Sequence, residues 1–251
     1  MTPGTAALLA GAGLLAGAVN AVAGGGSLIS FPALLAAGYP AVTANVTNTV
    51  ALFPGYAGSV AGGRPELQGL APTVRVLAVT GVLGGVLGAA LLLTTPGDVF
   101  EAVVPFLVLL ACALLVAQPR LAERVQRGGG RARTHSPVML LAVLLSAVYG
   151  AYFGAGLGVL LLGVLGVFLA EPLRRVNALK NVSSLIVNAV ALVAFGLFGP
   201  VAWEAVLVIA ATALAGGFVG ARVASRLPAA LLRAVVVVYG VGVSVVLLVQ
   251  D

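Results

Sequence analysis

Apolar segments of about 20 residues, the length an α-helix needs to cross a bilayer, follow one another along most of this chain. They cover 5–23, 41–62, 70–93, 99–117, 176–198, 201–223 and 229–249, with shorter apolar pieces at 28–37, 138–153 and 159–170. Of 251 residues, 61% are hydrophobic and only 8% are charged. A soluble domain carries roughly 25% charge, so these ionised groups cannot coat a water-soluble surface of this size. Soluble enzymes, disordered tails and secreted disulfide scaffolds are excluded together. The runs are continuous rather than alternating, which favours helices over a β-barrel. An all-α, multi-pass protein of the cytoplasmic membrane is expected, surrounded by membrane lipids. Its start, Met1-Thr2-Pro3-Gly4, has no basic n-region, so a cleaved signal peptide is not expected.

The usual foundations of enzyme chemistry are missing. The single cysteine, Cys112, lies in an apolar run, and the single histidine, His135, sits in a basic loop without carboxylates or thiols around it. No Ser/His/Asp set, HExxH or paired-carboxylate site is present, so neither catalysis nor a metal or other cofactor is expected. The 13 Lys and Arg residues outnumber the 7 Asp and Glu. The arginines fall between apolar segments, where they report orientation, and no nucleic-acid partner is expected.

The order of elements repeats. Each half has a segment broken by glycines, a short apolar piece and three longer spans. Gly84-Gly85-Val86-Leu87-Gly88-Ala89 matches Gly216-Gly217-Phe218-Val219-Gly220-Ala221 at a spacing of 132. Gly24 and Gly26 pair with Gly154 and Gly156, and a polar stretch follows each short piece. The expected organisation is a first transmembrane repeat over 1–118, a basic cytoplasmic connector over 119–137 and a second repeat over 138–251. The GlyGly-x-x-Gly pairs are expected to let helices pack closely.

Charge placement bears on how the halves are related. The connector carries Arg120, Arg124, Arg127, Arg131 and Arg133, which puts it inside. Counting back, the 94–98 turn is outside, the Arg64 loop inside and the 38–40 turn outside. Counting forward, a single crossing by 138–170 would leave Arg174, Arg175, Arg222, Arg226 and Arg233 outside. If that segment enters and returns, all five fall inside. The second count is the expectation, and it makes the halves inverted repeats, each a glycine-broken, re-entrant-like hairpin followed by three transmembrane helices. Inverted repeats with interrupted helices at matching positions point to a secondary transporter.

Glycine breaks within a membrane segment free backbone groups that lipid cannot satisfy. At Gly24, Gly25, Gly26 and Ser27, and again at Gly154 and Gly156, the following helix starts with unpaired N–H groups suited to an oxyanion. A kink or close packing is the structural alternative. Lys180, the only lysine, lies near Asn177, Asn181, Ser183 and Ser184. It either balances an anionic substrate or snorkels to the headgroups. Asn20, Asn45, Thr47, Asn48 and Asn188 add neutral donors and acceptors for a ligand or for neighbouring helices.

The run from Gly17-Ala18-Val19-Asn20 through Gly24-Gly25-Gly26-Ser27-Leu28-Ile29-Ser30-Phe31-Pro32 to Gly38 resembles the first motif of the TauE/SafE sulfite exporter family, also called the sulfonate uptake permease family. Ala44-Asn45-Val46-Thr47-Asn48 resembles its continuation. The resemblance covers nearly the whole chain, although Gly154–Gly158 is a looser copy and Thr49 stands where some relatives have a lysine. It implies transport of a sulfur oxyanion or organosulfonate, and it alone supplies the element sulfur. The expectation is an alternating-access carrier whose site lies between the two breaks and includes Asn20, Asn45, Thr47, Asn48, Lys180, Asn181 and Asn188. An anion channel and a non-transporting scaffold are the alternatives. A homodimer is compatible with such a chain.

Overall fold

The computed structural model describes residues 1–22, 25–62, 64–127, 136–223 and 229–250, with side chains described throughout except at 21–22, 62, 219–223, 229–233 and 250. The described residues form ten α-helices: α1 (Pro3–Val22), α2 (Ser27–Ala36), α3 (Ala41–Gly62), α4 (Ala71–Thr94), α5 (Gly97–Gln126), α6 (Pro137–Tyr152), α7 (Leu157–Phe168), α8 (Leu173–Phe198), α9 (Trp203–Val223) and α10 (Ala229–Gln250). A 3₁₀ turn, Arg64–Leu67, lies between α3 and α4. No strand occurs among the described residues, as the continuous apolar runs require.

Most helix ends fall within a few residues of the apolar segments, because Gly, Pro and the charged loops punctuate the chain. The largest difference is in α5, which continues past residue 118 to Gln126. An apolar edge carries it on: Leu121 packs against Gly163 of α7, Val125 packs against Gly166, and Arg120, Glu123 and Arg124 stay on the outer face. The expected connector is therefore helical in its first part. Its residues 128–135, with Arg131, Arg133 and His135, lie outside the described residues, as does Arg226.

By length and composition, Pro3–Asn20 of α1 and the whole of α4, α5 and α8 can cross a membrane. The similarly long α3 is less apolar, because Thr43, Asn45, Thr47, Asn48 and Thr49 crowd its first half.

Packing fixes relative directions. Val46, near the start of α3, lies against Gly199 just beyond the end of α8, whereas Arg175, at the start of α8, bonds to the turn after α3. Helices α3 and α8 therefore run antiparallel. Gly84 and Gly88 of α4 meet Ala147, Val148 and Ala151 of α6 in a parallel sense, and Gly13 and Gly17 of α1 meet Ile209 and Ala213 of α9 likewise. The pairs α1·α9 and α4·α6, α4·α8 and α3·α9, α5·α7 and α2·α10, and α1·α2 and α6·α7 all pack. Each pair maps onto its partner when α1–α5 are exchanged with α6–α10.

The doubled glycine motifs sit at two of these crossings. A Cβ on Gly84 would stand 2.8 Å from the Leu144 carbonyl oxygen, and one on Gly216 would run into the Leu14 backbone. Lipid tails are as apolar as Leu, so helices in a bilayer associate through close contact rather than the hydrophobic effect. Glycine at these positions provides that contact.

One end of the bundle gathers the end of α3, the 3₁₀ turn and the starts of α4 and α8, and with them Arg64, Arg75, Arg174 and Arg175; the end of α5 adds Arg120, Arg124 and Arg127. The opposite end, at the starts of α5 and α9, carries Asp98, Glu101 and Glu204.

Candidate functional site

Both glycine breaks form helical hairpins whose tips meet one turn of α5. At the first, Gly25 has φ +87° and faces Leu115; at the second, Gly156 has φ +83° and faces Leu114 and Ala111. Gly154 also has φ +83°. These positive φ values explain the glycines, since side-chain-bearing residues rarely adopt them. Gly24 lies outside the described residues. Residues 111–115 occupy the middle of α5, so the two breaks, far apart in sequence, flank the centre of one long helix.

The first hairpin is fastened by its own polar groups. The Gly26 N–H donates to Asn20 Oδ1 at 2.8 Å, and the Ser30 hydroxyl donates to the Gly26 carbonyl at 3.2 Å and to Asn48 Oδ1 at 2.5 Å. Ser27 opens α2 and is buried. The second hairpin is closed by aromatic side chains. The Tyr149 hydroxyl donates to the Ala155 carbonyl at 2.6 Å, and Phe153 makes edge contacts with Tyr149 and with Phe31 of α2. Gly150 leaves room for Leu157, so α6 and α7 close against each other.

Helix α3 spends its polar residues on these neighbours. Asn45 Nδ2 donates to the Tyr152 carbonyl at 2.8 Å, tying α3 to the tip of the second hairpin. Thr47 Oγ1 accepts from the Ala202 N–H at 3.0 Å, which pins the turn before α9. The Thr49 hydroxyl returns to the Asn45 carbonyl. The expected ligand contacts Asn20, Asn45, Thr47 and Asn48 are thus all engaged with protein, and of these four only Asn45 retains a buried polar atom, Oδ1, without a partner among the described residues.

Helix α8 differs. Lys180 is half-buried and makes no hydrogen bond or ion pair with a described residue. Its Cδ and Cε lie 3.8 and 3.9 Å from where a Cβ on Gly158 would stand, so its stem folds over the first turn of α7, beside the second break. Asn181 is half-buried and makes no hydrogen bond with a described residue either. Asn188 is buried and donates to the Ser184 carbonyl one turn back, at 2.8 Å. Lys180, Ser184 and Asn188, spaced by four, share a face of α8.

The structure brings Asn45 and Thr49 to the second hairpin at Tyr152 and Gly154, and Lys180 to the same hairpin at Gly158. Asn20, Ser30 and Asn48 stay with the first. Sequence reasoning passed over Phe31, Tyr149, Tyr152 and Phe153; three aromatic residues in the five that precede Gly154 were the available signal. It also passed over the central turn of α5, which carries no polar mark. A cavity of about 220 Å³ lies elsewhere, at the acidic end, lined by Leu35, Tyr39, Pro40, Ala41, Glu101, Val104 and Leu247. Its lining contains none of the expected site residues. Among the described residues no His, Cys, Asp and Glu group could hold a metal.

Comparison with known proteins agrees in kind. The family model described as sulfite exporter TauE/SafE matches residues 9–247. A probable membrane transporter protein, ORF9, of a Sinorhizobium species is 29% identical over 94% of this chain and 90% of its own length. The probable membrane transporter protein YfcA of Escherichia coli K12 is 29% identical over 85% of this chain and 77% of its own. One from Haemophilus influenzae is 26% identical over 92% and 90%. No solved structure matches the chain.

Proposed function

The chain belongs to the sulfite exporter TauE/SafE family, and from that premise we propose that it is a secondary transporter moving a sulfur-containing anion (sulfite, thiosulfate or an organosulfonate) by alternating access. The observation that carries this reading is the convergence of both glycine breaks on the middle of α5, with Lys180, unpaired among the described residues, lying over the second. An ammonium group inside a membrane helix costs at least a few kcal/mol, which an anionic ligand offsets. Its partners on this reading are the anion and the surrounding lipid.

The two halves act as inverted repeats. Support comes from the antiparallel α3 and α8, which are counterparts in the two halves, and from a packing pattern that survives exchange of the halves. The arginine-bearing end is cytoplasmic by the positive-inside rule, so the first hairpin enters from outside and the second from inside. Rocking of one repeat against the other moves the central site between the faces.

The test uses purified protein in two formats. Thermal-shift binding with sulfite, thiosulfate, sulfate and methanesulfonate identifies the anion, and counterflow in proteoliposomes preloaded with that anion identifies a carrier. Saturable binding with counterflow is expected. Conductance without counterflow would make the protein a channel, and no binding or flux of any of the four would sink the transport reading.

A further inference from the structure

Ser184 departs from the habit of hydroxyls in the helix interiors of this bundle; buried Ser27 and Thr73, in the first turns of α2 and α4, also make no side-chain hydrogen bond with a described residue. Buried in a helix, a serine or threonine commonly satisfies itself by donating to the carbonyl one turn back. Ser146, Ser183, Thr212 and Ser244 all do so here, at 2.7 to 2.9 Å. Ser184 is 1% exposed, yet its Oγ has no partner among the described residues and leaves the Lys180 carbonyl alone. Two other buried side-chain polar atoms share this state, Asn45 Oδ1 and Gln118 Oε1. Asn45 is bonded through its nitrogen, and each of those two atoms can only accept. Ser184 alone of the three carries a proton to donate, and it stands one helical turn from the unpaired Lys180, with Cβ atoms about 5–6 Å apart.

The first repeat offers no equivalent. At the spacing of 132 that aligns Gly84 with Gly216, Lys180 corresponds to Asn48 and Ser184 to Leu52. Asn48 is 2% exposed and bonded to Ser30, and Leu52 is packed in the core at 4% exposed. One repeat has closed this position with its own side chains, whereas the other holds a cation and a hydroxyl donor without partners among the described residues.

We propose that the chain binds one oxyanion, held asymmetrically on the second repeat by the Lys180 ammonium and the Ser184 hydroxyl, and that the matching position of the first repeat is a structural lock. The inference rests on the transport reading above and adds a contact residue and a stoichiometry. A buried hydroxyl and a half-buried ammonium that lack acceptors among the described residues are completed by a ligand with several acceptor oxygens, which a sulfite or sulfonate group supplies.

Substitution of Ser184 separates a ligand contact from a packing role. Ser184→Ala removes an unsatisfied buried hydroxyl, so the ligand-free protein should melt at the same or a higher temperature than wild type. Its affinity for whichever of sulfite, thiosulfate, sulfate and methanesulfonate binds wild type should fall about tenfold or more, the value of a hydrogen bond to a charged group. Ser183→Ala, which removes a self-satisfied neighbour, should leave affinity within about threefold on the same reasoning. Calorimetry of the wild-type chain in nanodiscs should give one anion per chain. Two anions per chain, or unchanged affinity in Ser184→Ala, overturns the asymmetric site while leaving the transporter reading intact. Failure of wild type to bind any of the four anions overturns both.

Discussion

Helices α3 and α8 occupy matching places in the two halves, and each carries a run of polar residues after a short apolar helix. In α3 those residues are tied to neighbouring elements: Asn45 holds the Tyr152 carbonyl through its nitrogen, with only its Oδ1 left unpartnered among the described residues, Thr47 holds the turn before α9, and Asn48 holds Ser30. In α8 the corresponding run leaves Lys180 and Ser184 without partners among the described residues. Equal polarity therefore serves two purposes. A buried polar group paired within the protein fixes geometry, and one left unpaired carries a standing cost that a ligand can relieve. On the proposed reading, the two halves share a packing pattern while the ligand chemistry is concentrated on α8.

The strongest way to break this comparison is to disturb the packing that both halves share. Gly216→Val would drive a side chain into the α1 backbone at Leu14, where no flexible group can give way. A cost of about 3 kcal/mol or more is expected, seen as loss of monodisperse protein on size exclusion. Lys180→Gln comes next and touches only the α8 side. It should fold normally and reduce anion counterflow about a hundredfold; undiminished flux would return Lys180 to a snorkelling role.

Ser30→Ala probes the α3 side. Removing its hydroxyl leaves Asn48 Oδ1 buried and unpaired, at a cost of about 1–3 kcal/mol in stability measured by thermal melting, with anion affinity retained. An affinity loss as large as that of Ser184→Ala would erase the distinction between the helices. The smallest effect is expected from Arg175→Ala. This guanidinium joins Glu171 at 2.7 Å and the Gln68 carbonyl at 2.6 Å, linking the turn after α3 to the start of α8. Because Arg175 and Glu171 are partly solvated, a stability change of about 1 kcal/mol or less is expected. A cysteine placed at Gln68 in a Cys112→Ser background should label faster with a water-soluble maleimide once that link is gone.

Much of the fold was legible in the sequence because a bilayer leaves few choices. Apolar runs of membrane length must be helical to satisfy their backbone, and Gly, Pro and arginine clusters mark where they stop. The boundaries of α3 and the close packing of Gly84, Gly88 and Gly216 follow from those signals. The extension of α5 to Gln126 was masked by its arginines, since its buried edge, Leu121 and Val125, is visible only when α7 lies against it.

The candidate site was legible as a set of residue types and not as a set of roles. Sequence alone determined that polar residues and glycine breaks sit inside membrane segments, because their chemistry is incompatible with lipid wherever they point. Which of them is satisfied was decided only in three dimensions. Asn48 of α3 finds Ser30 of α2 and Asn45 finds the Tyr152 carbonyl more than 100 positions away, whereas Ser184 finds no partner among the described residues. Hydrogen bonding is short-ranged and directional, so partnership depends on contacts between helices that no local pattern encodes.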